Sequence, residues 1–191
     1  MIKKYIRALG IDDLPFRFRS EKSGLVGTIM RAQAYIEGVV IRAIDVDGND
    51  VTLRLIELLE SSKFLDQIRV IFTNGITFGG FNVLDIEKVY KKYSIPVITI
   101  SRKMPDFEKI ESALKTHFLN WQEKLELMQK FKIYRITNNN SKIFIQYCGI
   151  NHWDAEKIIK LFTVRGAVPE PVRISHVIAS AIYFGESRSK V

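Results

Sequence analysis

Short apolar runs over residues 5–11, 24–32 and 35–46 are rich in Val, Ile, Ala and Tyr. Only a few residues separate the last two, so the three runs predict an antiparallel meander. Residues 13–23 form a longer polar link. After Gly48-Asn49 the period lengthens: Val51, Leu55, Leu58 and Leu59 recur at helical spacing, with Asp50 at the start and Lys63 near the end. A strand over 69–73 follows, then a helix over about 82–93 and a strand over 96–101. Pro105-Asp106 opens a further helix that carries Ile110, Ala113, Leu114 and Phe118 on one face. A helix over about 121–130 leads to a hairpin, 133–137 and 142–147, turned by Asn138-Asn139-Asn140-Ser141. Helices over 153–163 and 170–184 end the pattern.

Alternating strands and helices imply parallel strands with right-handed crossovers. Three antiparallel strands followed by helix, strand, helix, strand, helix is the element order of the ribonuclease H-like fold, an α/β class with a mixed sheet flanked by helices. In that arrangement the first strand is central and the strand after the first helix runs parallel beside it. Asp12 and Asn74 would then meet at the carboxyl ends of neighbouring strands. No repeat, low-complexity tract or linker interrupts the pattern, so residues 1–191 are expected to form one domain.

The 191 residues are 47% hydrophobic and 26% charged, enough for a substantial core. Twenty-nine Lys and Arg against 21 Asp and Glu give a formal charge of +8, which favours a polyanionic partner, nucleic acid being the natural one, or serves solubility alone. The single cysteine, Cys148, has no internal disulfide partner and no second thiolate for a metal cluster. No apolar run is long enough to span a bilayer, and the basic start, Met1 to Arg7, leads into a strand pattern. A cytoplasmic location is expected.

The candidate chemistry lies where strands run out. Two-cation phosphodiester hydrolysis needs several carboxylates converging on hard cations. Asp12 and Asp13 are the first contributors, and because neighbouring strand residues point to opposite faces, at most one serves such a site. Asp12 is assigned that role and Asp13 a turn or supporting role; the alternative is that both simply end a strand before Pro15. Asp45, Asp47 and Asp50 resemble the opening of a calcium loop without its later Glu, so Asp45 and Asp47 read as solvated, and Asp50 as a helix cap or a metal ligand. Gly75, Gly79 and Gly80 around Asn74 suggest either a close approach to phosphate or a tight connection. Arg102 and Lys103 follow a strand that would end at the same edge, where they would meet phosphate. In Pro169-Glu170-Pro171-Val172-Arg173-Ile174-Ser175-His176, Glu170 pairs with Arg173 within the helix, or Arg173 or His176 stands at the edge of the site. His152 is a helix-start residue or a ligand.

At these residues the chain resembles a mainly archaeal family, domain of unknown function ninety-nine, itself similar to endonuclease V. The resemblance rests on Leu9-Gly10-Ile11-Asp12-Asp13 with Pro15-Phe16, Asp47-Gly48 with Asp50 to Thr52, Gly75 to Asn82 with Asp85, Pro96-Val97 with Arg102-Lys103, Pro169-Glu170-Pro171 with Arg173 and His176, and Gly185-Glu186-Ser187. It implies hydrolysis of a phosphodiester near inosine with Mg²⁺ or Mn²⁺. Asp12 matches the first-strand Asp of endonuclease V, Asp50 its Glu at the first helix, and Lys103 its Lys after the fifth strand. Tyr35-Ile36-Glu37-Gly38 resembles the wedge that parts the strand, which makes Tyr35 and Gly38 nucleic-acid contacts. Asn74 stands where that enzyme has Asp. A neutral ligand there implies a weakened metal-dependent endonuclease, or a nucleic-acid or nucleotide-binding protein that kept the fold.

Overall fold

The computed structural model describes residues 5–17, 19–32 and 35–188. Its main sheet has seven strands in the order β3-β2-β1-β4-β7-β9-β8. The first three, β1 (Arg7–Asp13), β2 (Lys22–Arg31) and β3 (Tyr35–Asp45), form the expected antiparallel meander. Helix α1 (Val51–Glu60) then crosses over to β4 (Ile68–Asn74), which runs parallel to β1. Between Leu9↔Ile71 and Ile11↔Thr73 the register aligns the two carboxyl ends. A small ribbon, β5 (Thr77–Phe78) with β6 (Asn82–Val83), precedes α2 (Ile86–Tyr93) and β7 (Val97–Ser101), again parallel to β4. Helices α3 (Phe107–His117) and α4 (Trp121–Gln129) lead to the hairpin β8 (Tyr134–Asn138) and β9 (Ser141–Cys148), with β9 antiparallel to β7. Helices α5 (His152–Phe162) and α6 (Glu170–Phe184) follow.

The helix expected over 82–93 begins four residues late, at Ile86, where the Asp85 side chain accepts from the Lys88 N–H. Asn82 has another task. It is fully buried; its amide oxygen accepts from the Val51 N–H at 3.0 Å, and its nitrogen donates to the Asp45 carbonyl and to Asp50 Oδ1. A side chain from β6 therefore caps the first turn of α1, which needs acceptors for its free N–H groups. That requirement holds 82–83 in extended backbone.

Strand alternation splits the interior in two. Leu9 and Ile11 of β1 pack with Val51, Leu55, Leu58 and Leu59 of α1 and with Ile86 and Val89 of α2. Ala8 packs on the other face with Val70, Phe72, Ile98, the α5 residues Ala155, Ile158, Ile159 and Phe162, and Val172 of α6. The centre of β1 is buried on both sides, as a central strand must be. Its contact with α6 is unusually close: a Cβ on Gly10 would stand 2.1 Å from the backbone carbon of Pro171 and 2.4 Å from the Val172 nitrogen. Ser175 locks the approach by donating to the Gly10 carbonyl, Thr28 or the Pro171 carbonyl, all within 2.9 Å. No helix among the described residues is long and apolar enough to cross a membrane.

Candidate active site

The parallel pairing of β1 and β4 brings Asp12 and Asn74 together. Asn74 Nδ2 donates to Asp12 Oδ1 at 2.9 Å, and that oxygen also accepts from the Asp13 N–H. Oδ2 lies 2.7 Å from His176 Nδ1. The close seat of α6 on Gly10 explains the last contact, since it sets His176, one residue after Ser175, over the end of β1. Asp12 is only 2% exposed, whereas Asn74 reaches solvent and His176 is partly open. Bonding to the Asp12 carboxylate raises the His176 pKa above 6.5, against partial burial and the nearby Arg102.

Asp13 points to the opposite face and accepts from the Gly79 N–H at 2.6 Å. Burial, aided by the charge of Asp12 and opposed by the Gly79 bond, pushes its carboxyl from 3.8 up to about 7. The glycine loop thus turns its donors inward. Gly79 serves Asp13, and the Phe81 N–H serves Asp47 Oδ1 at 2.7 Å. Gly80 lies at φ +89°, and a Cβ there would meet Asp47 Oδ1 at 2.2 Å. The Gly79 N–H is thus taken by one of the protein's own carboxylates and the Phe81 N–H by another. Asp47 is exposed, as expected, and accepts its bond at the surface.

Two other expectations change. Asp50 does not join Asp12. It bonds to Asn82 Nδ2, the Asp45 N–H and Arg54, at the start of a helix that packs on the face away from His176. Burial opposes its ionisation, but these bonds outweigh it and hold the carboxyl below its ordinary range. Nor does its side chain cap α1, a task that Asn82 takes. Tyr35-Ile36-Glu37-Gly38 lies away from the Asp12 edge. Tyr35 pairs with Arg31 and Arg31 with Arg7, the first residue of β1, so Tyr35 is about 16 Å along the sheet from Asp12. Glu37 is paired there with Arg7 and Arg31, and Gly38 is covered by the Phe64 ring. Tyr35 is therefore remote from this edge, because the β2–β3 turn is at the amino end of β1, while Gly38 pairs with Ile29 level with Leu9, three residues along the strand from Asp12.

The cations fare differently. Arg102 and Lys103 are exposed directly after β7, whose partner β4 ends in Asn74. Arg173, one helical turn before His176, is held by Glu170. Glu170 is itself buried, with Oε1 lacking a partner. The Glu170–Arg173 pair within the helix is present, and His176 reaches Asp12. His152 is a helix-start residue bonded to Glu156. Among the described residues no three His, Cys, Asp or Glu side chains come together as a metal cage. Sequence reasoning missed Asn82 and Gln146. Asn82 had a signal, a polar residue between Phe81 and the apolar Val83-Leu84; Gln146, 5% exposed, is the polar member of a β9 run that alternates toward the helices.

Residues 4–183 match the family model described as endonuclease dU. A UPF0215 protein of Methanothermobacter thermautotrophicus is 43% identical over 189 residues, covering 98% of this chain and 92% of its own. A crystal structure of a protein of unknown function from Archaeoglobus fulgidus superposes with a TM-score of 0.85 at 41% identity, over 94% of this chain and 99% of that one. Endonuclease V of Ciona intestinalis, in complex with DNA containing an inosine followed by a ribo-adenosine, has a TM-score of 0.61 at 13% identity, over 94% and 86%. That last likeness is one of fold, and the fold is ribonuclease H-like.

Proposed function

The chain belongs to the endonuclease dU family, and we propose that it hydrolyses phosphodiester bonds in nucleic acid beside a deaminated base, with the help of Mg²⁺ or Mn²⁺. The observation that carries this reading is the buried Asp12 carboxylate, joined to the exposed Asn74 and to His176 at an edge supplied with Arg102, Lys103 and Arg173. The family name points to deoxyuridine, and the Ciona enzyme was crystallised with inosine.

The donor set fits one hard cation better than two. Mg²⁺ typically keeps several waters and binds one or two carboxylates together with substrate phosphate. Asp12 and the amide oxygen of Asn74 would hold it, and a bound cation would polarise the phosphoryl group and activate water. His176, its ring oriented by Asp12, is placed to protonate the leaving oxygen. Arg102 and Lys103 neutralise the incoming backbone, and Glu170 keeps the Arg173 guanidinium from folding away.

The test is cleavage of single strands carrying one deoxyuridine or one inosine, with Mn²⁺ or Mg²⁺, by the wild type and by Asp12→Asn. Cleavage lost in the variant and in chelator supports the reading. Tight binding without cleavage favours a second reading, a binder that kept the fold, which the neutral Asn74 beside Asp12 supports.

A further inference from the structure

A cavity of about 270 Å³ lies across the sheet from His176 and reaches the strand ends near Asn74. Gly75, the residue after Asn74, forms one side of it; Phe81, Phe107, Ile110 and Phe144 supply apolar walls. Its size falls just below the usual range of small-molecule sites, which suits one ring system rather than a whole nucleotide. It lies between β7–β9 and the helices α3 and α4, on the sheet face opposite to His176, and meets the Asp12 edge at the strand ends through Gly75, so an occupant reaching it past Gly75 would belong to a strand whose phosphate rests at Asn74. Enzymes that act at a single base commonly draw it into such a pocket, stack it on apolar walls and read its Watson–Crick edge.

Gln146 lines this cavity from β9 and is 5% exposed. Both hydrogens of its amide nitrogen are committed, to the Met128 and Phe131 carbonyls, each at 2.8 Å. Two acceptors fix which end of the amide faces them, since a reversed amide would set oxygen against oxygen. The amide oxygen remains as the atom that serves an occupant, and it can only accept.

Resting on the nuclease reading, we infer that Gln146 is the specificity-determining residue, and that its oxygen accepts the ring N–H that deamination creates. Cytosine and adenine present a bare ring nitrogen, an acceptor, at the centre of the pairing edge. Their deamination products, uracil and hypoxanthine, present an N–H flanked by a carbonyl. A fixed carbonyl oxygen attracts the second pair and repels the first, and a desolvated site built for a donor discriminates strongly against a ligand that lacks it. One residue thereby separates both damaged bases from both parents. The hydroxyls of Thr77 and Thr99, also on the cavity wall, are available to the flanking carbonyls.

The decisive comparison changes the ligand rather than the protein. Binding of the full chain to single strands containing deoxyuridine, N3-methyldeoxyuridine, deoxycytidine, deoxyinosine or deoxyadenosine at one position is measured in chelator, alongside cleavage in Mn²⁺. Deoxyuridine and deoxyinosine should bind at least ten-fold more tightly than the other three. The free nucleosides deoxyuridine and N3-methyldeoxyuridine are compared by their perturbation of the Gln146 side-chain amide resonance, and only the first should shift it. Ile110→Trp, which fills the cavity, should abolish the preference while retaining the wild-type melting transition. Equal binding of deoxyuridine and its N3-methyl form overturns the inference even if both strands are cut, in which case the nuclease reading survives without it. Discrimination with no cleavage in any metal supports Gln146 as the reader and removes the hydrolase.

Discussion

Two adjacent aspartates at the end of one strand have opposite fates. Asp12 turns toward α6, where Asn74 and His176 bond to it beside solvent-reaching groups; Asp13 turns toward the α1 face, where one backbone N–H meets it and burial pushes its carboxyl up to about 7. The same residue type, one position apart, is thus a hydrogen-bonded group beside solvent in one place and a costly internal group in the other. Covalent position does not decide the difference. What decides it is how many partners folding gathers around each carboxyl: Asn74, His176 and the Asp13 N–H at Asp12, against the Gly79 N–H at Asp13.

Asp12→Asn should lower cleavage roughly 10²–10⁴-fold, while Asp13→Asn retains most of it. Equal losses in single-turnover assays would mean that the two residues share one site. The next largest effect is on stability. Below about 3.8 Asp13 is protonated folded and unfolded; as pH rises the unfolded chain ionises first, and the cost grows until the folded group ionises near 7. Asp13→Asn should therefore match the wild type at pH 4 and exceed it at pH 8.5, by on the order of 2–4 kcal/mol, in thermal melts with chelator present. A uniform shift at both pH values would refute the buried-acid account.

His176→Ala should show a smaller, pH-dependent loss. The raised pKa of His176 makes its bond to Asp12 fully stabilising below about 6.5 and weaker as pH passes the folded value. The variant's deficit in Tm should be larger at pH 6 than at pH 9, and an equal deficit would indicate packing alone. Asn74→Asp sharpens the contrast from the Asn side. It adds an anionic donor beside Asp12, so cleavage in Mn²⁺ should rise several-fold, about 1 kcal/mol at the barrier, while the metal-free melt falls because an N–H donor is lost. Unchanged cleavage would place residue 74 outside the cation's reach. The smallest effect is Arg102→Ala, which should reduce the salt slope of single-strand binding by about 0.7, as titrations at rising salt would show; an unchanged slope would leave that guanidinium outside the phosphate track.

Much of the architecture was legible along the chain. The meander, the crossover at α1 and the β8–β9 hairpin all followed from local periodicity, and the β1–β4 pairing followed from element order, which brought Asp12 beside Asn74. Failures arose where a side chain's partner came from elsewhere. Nothing local around Gly79 and Gly80 shows that Asp13 takes the Gly79 N–H and Asp47 the Phe81 N–H. Asp50 looked like a ligand because its bonds to Asn82 are made across 32 positions. The Tyr35 segment matched a motif, yet strand direction carried it to the far end of the sheet.

The sequence by itself determined the order of elements, the mixed sheet and the choice of one aspartate per face, because alternation and helical period are set by the backbone within a few residues. Only the tertiary structure decided which aspartate is served and by what. His176 reaches Asp12 across 164 positions because Gly10 lets the backbone of α6 approach β1 as no larger residue would, and Gln146 shows its oxygen to the cavity because two carbonyls near the end of α4 hold its nitrogen. Such contacts depend on the distance between surfaces that meet only after folding, and no local pattern encodes that distance.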